Sequence, residues 1–172
     1  KKGLNKLNGQ FAFAIWDKVS ESLFLARDRV GIRPLFYTHQ NGHFVFGSEI
    51  KALFQFPLIT PEVNTKALKQ LFTFWAPLSP NTFFKEVFEV PPGHFLEFRN
   101  GKIKVERYWQ LTFAGQQNGS FSDTREQFRE LLKDAVALRL RSDVPVAAYL
   151  SGGLDSTATT SLIKELQPQN LQ

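Results

Sequence analysis

The feature that most constrains the fold is a glycine loop between an apolar segment and an amphipathic one. The apolar segment, residues 143–150, is short and nearly continuous, which predicts a strand covered on both faces. After the loop, Ala158, Leu162 and Leu166 recur at steps of four, which predicts a helix with one packed face. A strand, a glycine loop and a helix in this order predict the start of a doubly wound α/β domain.

The loop, with the sequence SGGLDS, has the composition of a phosphate-binding turn. Gly152 and Gly153 allow a sharp bend and a close approach of the backbone to a ligand. The hydroxyls of Ser151 and Ser156 can donate to oxygen anions, and a following helix would direct its unpaired N–H groups at the loop. Asp155 would repel phosphate unless a cation lies between them, so we interpret it as a magnesium ligand or a helix cap.

A Ser/Gly/Asp cluster between a strand and a helix is also typical of an ordinary capped turn. It is not a Walker A motif, because no Gly-Lys-Ser/Thr follows a five-residue glycine spacing. The loop resembles the pyrophosphate loop (PP-loop) of the ATP pyrophosphatase superfamily, whose members adenylate a carboxylate or amide and release pyrophosphate. The phrase SDVP at residues 142–145 narrows this resemblance to asparagine synthetases.

The first two thirds of the chain predict antiparallel hairpins. Two apolar segments, 11–16 and 23–28, flank a polar stretch and form one hairpin. A second hairpin turns at Asn41-Gly42 and another at Asn100-Gly101, because Asn-Gly favours the two-residue turns that connect paired strands.

Several phrases in this part resemble the glutaminase domain of class II glutamine amidotransferases. They are RDRVGIRPLFY at 27–37, SEIKAL at 48–53, and the PPGH turn at 91–94, which two strands and Tyr-Trp follow. In asparagine synthetases this order closes the glutaminase domain. Amidophosphoribosyltransferases share much of the first phrase, which alone identifies only the broader class.

Local patterns also predict structural roles for polar residues. We expect Arg27, Asp28 and Arg33 to form a buried or half-buried ion-pair network that locks a loop beside the sheet, with the turn set by Gly31 and Pro34. We expect two further pairs of polar residues to cap helices. These are Ser48 and Glu49 before a short helix through Leu53, and Asp123 with Glu126 before a helix whose packed face is Phe128, Leu131, Leu132, Ala135 and Leu138.

The polar stretch 113–121 predicts a linker between two domains. By the resemblance, residues 1–112 are the C-terminal part of a type 2 glutamine amidotransferase domain with an antiparallel sheet. Residues 122–172 are then the start of an asparagine synthase ATP-binding domain. We expect both domains to be incomplete and the chain to be an internal fragment of a longer enzyme. The family's nucleophile is an N-terminal Cys, and this chain contains no Cys, so we expect no catalytic residue within it.

The resemblance implies an ATP-dependent carbon–nitrogen ligase. Such an enzyme activates aspartate as an acyl adenylate and amidates it with ammonia from glutamine. Its small-molecule partners are glutamine, aspartate and ATP, its cofactors are ATP and Mg²⁺, and a homodimer is left open. The residues expected to bind ATP or pyrophosphate, with Asp155 also contacting magnesium, are Leu150, Ser151, Gly152, Gly153, Leu154, Asp155 and Ser156.

Three other functions stay open. A similar two-domain enzyme could amidate a sugar, a cell-wall precursor or a β-lactam precursor. A PP-loop enzyme could modify tRNA, and a fragment could be a noncatalytic scaffold. The net charge of +5 comes from scattered residues, which does not favour nucleic-acid binding.

Composition favours a folded domain over several other classes of protein. The 14% aromatic content, with 18 Phe, suits a globular core with substantial sheet. No apolar run is long enough to predict a membrane span, and no signal peptide is evident, so we expect a cytoplasmic protein without a membrane partner. The three His are isolated, which does not favour a metal centre.

Overall fold

A computed structural model of the chain describes residues 1–113, 115 and 119–167. The chain divides into two compact units, unit 1 (Lys1–Thr112) and unit 2 (Phe113–Gln172). The predicted linker, 113–121, begins at this division, and its residues 114 and 116–118 lie outside the described part of the chain.

Unit 1 is built mainly from antiparallel strands, with one 3₁₀ turn and two helices. The 3₁₀ turn is Leu4–Lys6. The strands are β1 (Ala12–Asp17), β2 (Ser22–Arg27), β3 (Phe36–Gln40), β4 (His43–Gly47), β5 (Val87–Glu89), β6 (His94–Arg99) and β7 (Lys102–Arg107). The helices are α1 (Ile50–Leu53) and α2 (Thr65–Phe74).

These strands form a four-stranded sheet in the order β1-β2-β6-β7 and a three-stranded sheet in the order β4-β3-β5. All pairs are antiparallel. At the two Asn-Gly turns, all four residues have φ between +49° and +77°, as type I′ hairpin turns require. The three predicted hairpins are therefore confirmed.

The core of unit 1 lies where the two sheets pack on each other. Leu25 and Leu96 of the larger sheet and Val90, which follows β5, are fully buried. Phe44 of the smaller sheet stacks on Phe98 of the larger one with ring centroids 4.4 Å apart. Each such aromatic pair adds roughly 1 kcal/mol beyond its area burial, so the aromatic content serves the sandwich core.

Unit 2 contains two helices, α3 (Phe121–Arg139) and α4 (Leu154–Leu166). Their contact buries Val136, Leu162 and Ile163, and Leu166 packs against the same cluster. The predicted packed face of α4 is therefore confirmed at Leu162 and Leu166.

Helix α3 differs from the sequence prediction in its start and in its face. Its N-cap is Ser120, whose side chain forms a reciprocal capping box with Asp123, so the prediction of Asp123 as the cap was three residues late. Phe128 and Leu131 are 65% and 70% exposed. The prediction of the face is confirmed at Leu132 and wrong at Phe128, Leu131 and the exposed Ala135. The reason is that α4 packs against a stripe that runs from Leu132 through Val136 to the C-cap Leu140.

The predicted strand at residues 143–150 does not form. The segment carries no strand or bridge assignment, although Ala148 packs against the α3–α4 cluster. A parallel strand exists only through hydrogen bonds to a neighbour, and the described residues of unit 2 contain no other strand. The doubly wound architecture of this unit therefore stays a prediction.

Candidate functional site

The glycine loop leads directly into the N-terminus of α4. The helix begins at Leu154 with Gly153 as its N-cap, so the last three residues of the loop already belong to the first helical turn. Thr157 donates to the Gly153 carbonyl at 3.0 Å and closes the first helical turn. Among the described residues, none accepts a hydrogen bond from the backbone N–H groups of Leu154, Asp155 and Ser156, as expected for a first turn. Three donors are thus available at the positive end of the helix dipole.

The two loop hydroxyls lie together beside these donors. Ser151 Oγ and Ser156 Oγ are 3.0 Å apart. Ser156 Oγ donates to the Gly153 carbonyl at 3.0 Å, and the Gly153 N–H donates weakly to Ser151 Oγ at 3.4 Å. The bend is therefore held by polar contacts within the loop.

The conformation of the bend requires glycine at only one of its two glycine positions. Gly152 has a φ of +82°, which glycine adopts without strain, and a Cβ there would meet no atom within 4 Å. Gly153 has an ordinary φ of −76°, and a Cβ there would make ordinary van der Waals contact with Ser151 Oγ at 3.5 Å and Ser156 Oγ at 3.9 Å. Both glycines are exposed, so the loop is open to solvent at this bend.

The Asp155 carboxylate is exposed, and the described part of the chain provides it with no hydrogen bond or ion pair. Its interpretation as a helix cap was wrong, because the N-cap is Gly153 and no side chain caps α4. The described residues contain no group of three or more His, Cys, Asp or Glu that could hold a metal. A cation here would rely on Asp155, phosphate oxygens and water, which is a coordination that Mg²⁺ accepts.

A second loop, residues 28–35 of unit 1, holds its aspartate differently. Asp28 is buried and accepts backbone N–H bonds from Phe11, Val30, Ile32 and Arg33 at 2.9–3.3 Å. Burial alone would raise the pKa of this carboxyl, but the four donors outweigh it and hold the pKa below its usual value of 3.8. This carboxylate is satisfied by three backbone N–H groups of its own loop and by that of Phe11, which precedes β1.

The buried Arg27 binds the same loop from the other side. Its guanidinium donates to the carbonyls of Gly31, Arg33 and Val90 at 2.8–2.9 Å and pairs with Glu89 at 2.8 Å. The predicted burial and loop-locking role are confirmed for Arg27 and Asp28. The predicted ion-pair network is wrong, because Arg33 is exposed and joins the other two residues only through its backbone. The only ion pair that the described residues give to Arg27 joins it to Glu89, and the remaining contacts go to backbone atoms.

Two further partners of this region were missed from the sequence. Tyr108 donates its hydroxyl to the Arg27 carbonyl at 2.8 Å, across 81 positions, and Glu89 is 62 positions from Arg27. No local pattern could have indicated either contact.

At α1, Glu49 is the N-cap as predicted, but neither it nor Ser48 makes a side-chain cap hydrogen bond within the described residues. Glu49 pairs instead with Lys51 at 2.7 Å.

Two protein-family models match this chain in succession. The first, described as the glutamine amidotransferase domain, matches residues 1–109. The chain belongs to this family. The second, described as asparagine synthase, matches residues 127–172 and so includes the glycine loop.

Curated relatives agree with these matches. "Asparagine synthetase [glutamine-hydrolyzing] 3" of Bacillus subtilis is 43% identical over 92% of this chain and 26% of its own length. "Amidase chry2" of Gibberella zeae is 37% identical over 96% of this chain and 25% of its own length. The chain spans about a quarter of the length of these relatives and resembles the glutaminase domain of asparagine synthetases. A solved glutamine phosphoribosylpyrophosphate amidotransferase from B. subtilis aligns with 99% of this chain and 33% of its own, at 18% identity and a TM-score of 0.41, too low to support a conclusion.

Proposed function

We propose that this chain is part of a glutamine-hydrolysing asparagine synthetase, an ATP-dependent carbon–nitrogen ligase. The observation that carries the proposal is the order of the two family matches. A match to the glutamine amidotransferase domain is followed on one chain by a match to asparagine synthase, which is the arrangement expected when ammonia from glutamine is used in a second reaction.

In this proposal the glycine loop binds the pyrophosphate portion of ATP. The N–H groups of the first turn of α4 and the hydroxyls of Ser151 and Ser156 hold phosphate oxygens, and the two glycines let those oxygens approach the backbone. Leu150 and Leu154, both exposed, border the nucleotide. The loop geometry supports this role, because two hydroxyls lie 3.0 Å apart at the N-terminus of a helix and the backbone at Gly152 is open, with no atom within 4 Å of an added Cβ.

Magnesium fits the same loop through Asp155. Mg²⁺ is usually bound by one or two carboxylates together with substrate phosphates and water, and Asp155 supplies one carboxylate without a competing partner. The metal would neutralise charge on the phosphates. The donors of this chain orient the pyrophosphate as it leaves, and each donor aimed at developing charge contributes about 3 kcal/mol to lowering the barrier.

Unit 1 contributes the folded scaffold of the glutaminase half. Its 112 residues contain no Cys, so we assign no nucleophile to it. The proposed division of the chain places the scaffold in 1–112 and the start of the ATP-binding domain in 122–172.

A second candidate is a related amidotransferase that acts on an acceptor other than aspartate. Two relatives named as amidases, chry2 and chyE, are each 37% identical over 96% of this chain. These identities are close to those of the relatives named asparagine synthetase, at 37–43%. The identities therefore support the ligase class more strongly than they support aspartate as the acceptor.

The experiment uses the whole protein that contains this chain, supplied with ATP, Mg²⁺ and aspartate. Glutamine and ammonium chloride are compared as nitrogen sources, and products are measured by mass spectrometry. We expect asparagine and pyrophosphate from both sources. Amide formation only on another carboxylic acid would select the second candidate, and no ATP-dependent amide product with any acceptor would contradict the ligase proposal.

A further inference from the structure

A surface cavity of about 600 Å³ lies at one end of the four-stranded sheet of unit 1, between the β1–β2 turn and the β6–β7 turn. Four of its lining residues, one from each strand, stand side by side in the register of the sheet. The register pairs Asp17 with Ser22, Ser22 with Arg99, and Arg99 with Lys102. Paired residues project from the same face of a sheet, so this polar row runs from a carboxylate through a hydroxyl to two cations.

The acidic groups of the cavity have partners within the protein. The Asp17 carboxylate accepts from the hydroxyl of Ser20 at 2.7 Å and from the N–H of Val19 at 2.9 Å. These hydrogen bonds hold the pKa of this carboxyl below its usual value of 3.8. Glu97 pairs with Lys1 at 2.6 Å. Both carboxylates are therefore stabilised by groups outside the cationic end of the polar row.

The cationic end of the polar row has no comparable partner. The described residues provide neither a hydrogen bond nor an ion pair for the side chains of Arg99 and Lys102, both of which are exposed and line the cavity. Like charges directly opposite each other destabilise strand pairing. The two-residue turn at Asn100-Gly101 fixes this register, so the two cations cannot separate by a shift of the strands. An anion bound between them would replace the repulsion with two attractions.

We propose that this cavity binds a small phosphate monoester with a hydroxyl-bearing body, of the kind found in a hexose phosphate. Its phosphate contacts Arg99 and Lys102, and its hydroxyl groups face Asp17 and Ser22. Arginine offers a planar fork that matches phosphate through two parallel hydrogen bonds, and lysine adds a compact charge. A carboxylate accepts hydrogen bonds and a serine hydroxyl both donates and accepts them, which suits the hydroxyl groups of a sugar.

The dimensions of the cavity fit a ligand of this class. Asp17 and Arg99 stand two strands apart, which is roughly 10 Å at the usual spacing of strands, so a hexose phosphate can span the polar row. A volume of about 600 Å³ lies within the range of small-molecule sites. The Asp17 carboxylate disfavours a second phosphate at its end of the row. The site goes beyond the proposed function, because it uses no residue of the glycine loop.

The first test is isothermal titration of the whole protein that contains this chain with glucose 6-phosphate, inorganic phosphate and glucose. Glucose 6-phosphate should bind most tightly, and Arg99→Gln should weaken it at least tenfold. Ser22→Ala should weaken glucose 6-phosphate but not inorganic phosphate. Absence of wild-type binding at about 10 mM glucose 6-phosphate, which corresponds to very weak affinity, or equal binding by Arg99→Gln would overturn the proposal. Equal affinities of the wild type for glucose 6-phosphate and inorganic phosphate would overturn the assignment of a hydroxyl-bearing ligand.

The second test separates ligand binding from a structural role of the charges. Without ligand, Lys102→Gln should unfold at the same temperature as the wild type or at a higher one, because the repulsion of Arg99 is removed. Glucose 6-phosphate should raise the unfolding midpoint of the wild type more than that of Lys102→Gln. The matched control is Lys66→Gln, which removes an exposed lysine of α2 outside the cavity and should bind like the wild type. A lower midpoint for ligand-free Lys102→Gln, or an equal loss of binding in Lys66→Gln, would contradict the proposal.

Discussion

Asp28 and Asp155 stand in glycine-containing loops of similar length, but only Asp28 is internally satisfied. Asp28 is buried and bonded by four backbone N–H groups, whereas Asp155 is exposed and lies beside backbone donors that have no recorded partner. The first loop has used its polar groups to hold itself together, and the second has left them available. The difference indicates a structural role for the loop of Asp28 and supports the proposal that the loop of Asp155 binds a ligand.

The glycines repeat the contrast. Gly31 and Gly152 both have positive φ, at +71° and +82°. A Cβ on Gly31 would lie 2.8 Å from Pro92 and 3.1 Å from the Arg27 guanidinium, while a Cβ on Gly152 would meet no atom within 4 Å. Gly31 is required by packing, and Gly152 only by the conformation of the bend.

The largest expected difference between the two loops is in how much each aspartate contributes to stability. Asp28→Ala should lower the free energy of unfolding by about 3 kcal/mol, because it removes a buried carboxylate that is the acceptor of four backbone N–H groups. Asp155→Ala should leave the unfolding midpoint of the same protein unchanged. Urea denaturation followed by circular dichroism measures both, and equal midpoints for the two variants would refute the distinction between the loops.

Substitution of Gly31 and Gly152 should change stability by a smaller amount, again with the larger loss in the loop of Asp28. Gly31→Ala adds a steric clash to the strain of positive φ and should cost about 2 kcal/mol of stability. Gly152→Ala adds the strain alone and should cost about 1 kcal/mol. Thermal unfolding of both variants checks the order, and a larger loss at Gly152 would show that the loop before α4 is the more tightly packed one.

The smallest expected effect is on the acid sensitivity of stability, and it tests the loop of Asp28. The pKa of Asp28 is lower in the folded state than its usual value of 3.8, so its stabilising contribution is complete above that value. The contribution is lost as the pH falls from about 3.8 through the folded pKa. The stability of the wild type should therefore fall more steeply below this pH than that of Asp28→Asn. Parallel curves for the two proteins between pH 5 and pH 2 would contradict the assigned cause.

The fold could be predicted where local chemistry decides it. Asn-Gly dipeptides specified two hairpins because few residue pairs tolerate positive φ twice, and the spacing of Leu162 and Leu166 specified the packed face of α4. In the loop, the residues SGGLDS predicted a bend with available donors, and the structure has one.

The rest depended on distant partners. The bonds from Arg27 to Glu89 and from Tyr108 to Arg27 connect positions 62 and 81 residues apart. The stripe of α3 that packs was decided by the position of α4, since Phe128 and Leu131 fit a helical face equally well by spacing. The strand at 143–150 failed because a strand needs a hydrogen-bonded neighbour, which its own sequence does not supply.

The central claim is that the loop of residues 151–156 binds pyrophosphate during ATP-dependent chemistry. Pyrophosphate release by the whole protein, measured for Asp155→Asn beside the control Asp134→Asn, tests it most directly. Asp134 is an exposed aspartate of α3, outside the loop. The account predicts at least a hundredfold slower release for Asp155→Asn, with normal folding, and a wild-type rate for Asp134→Asn. A wild-type rate for Asp155→Asn would contradict it.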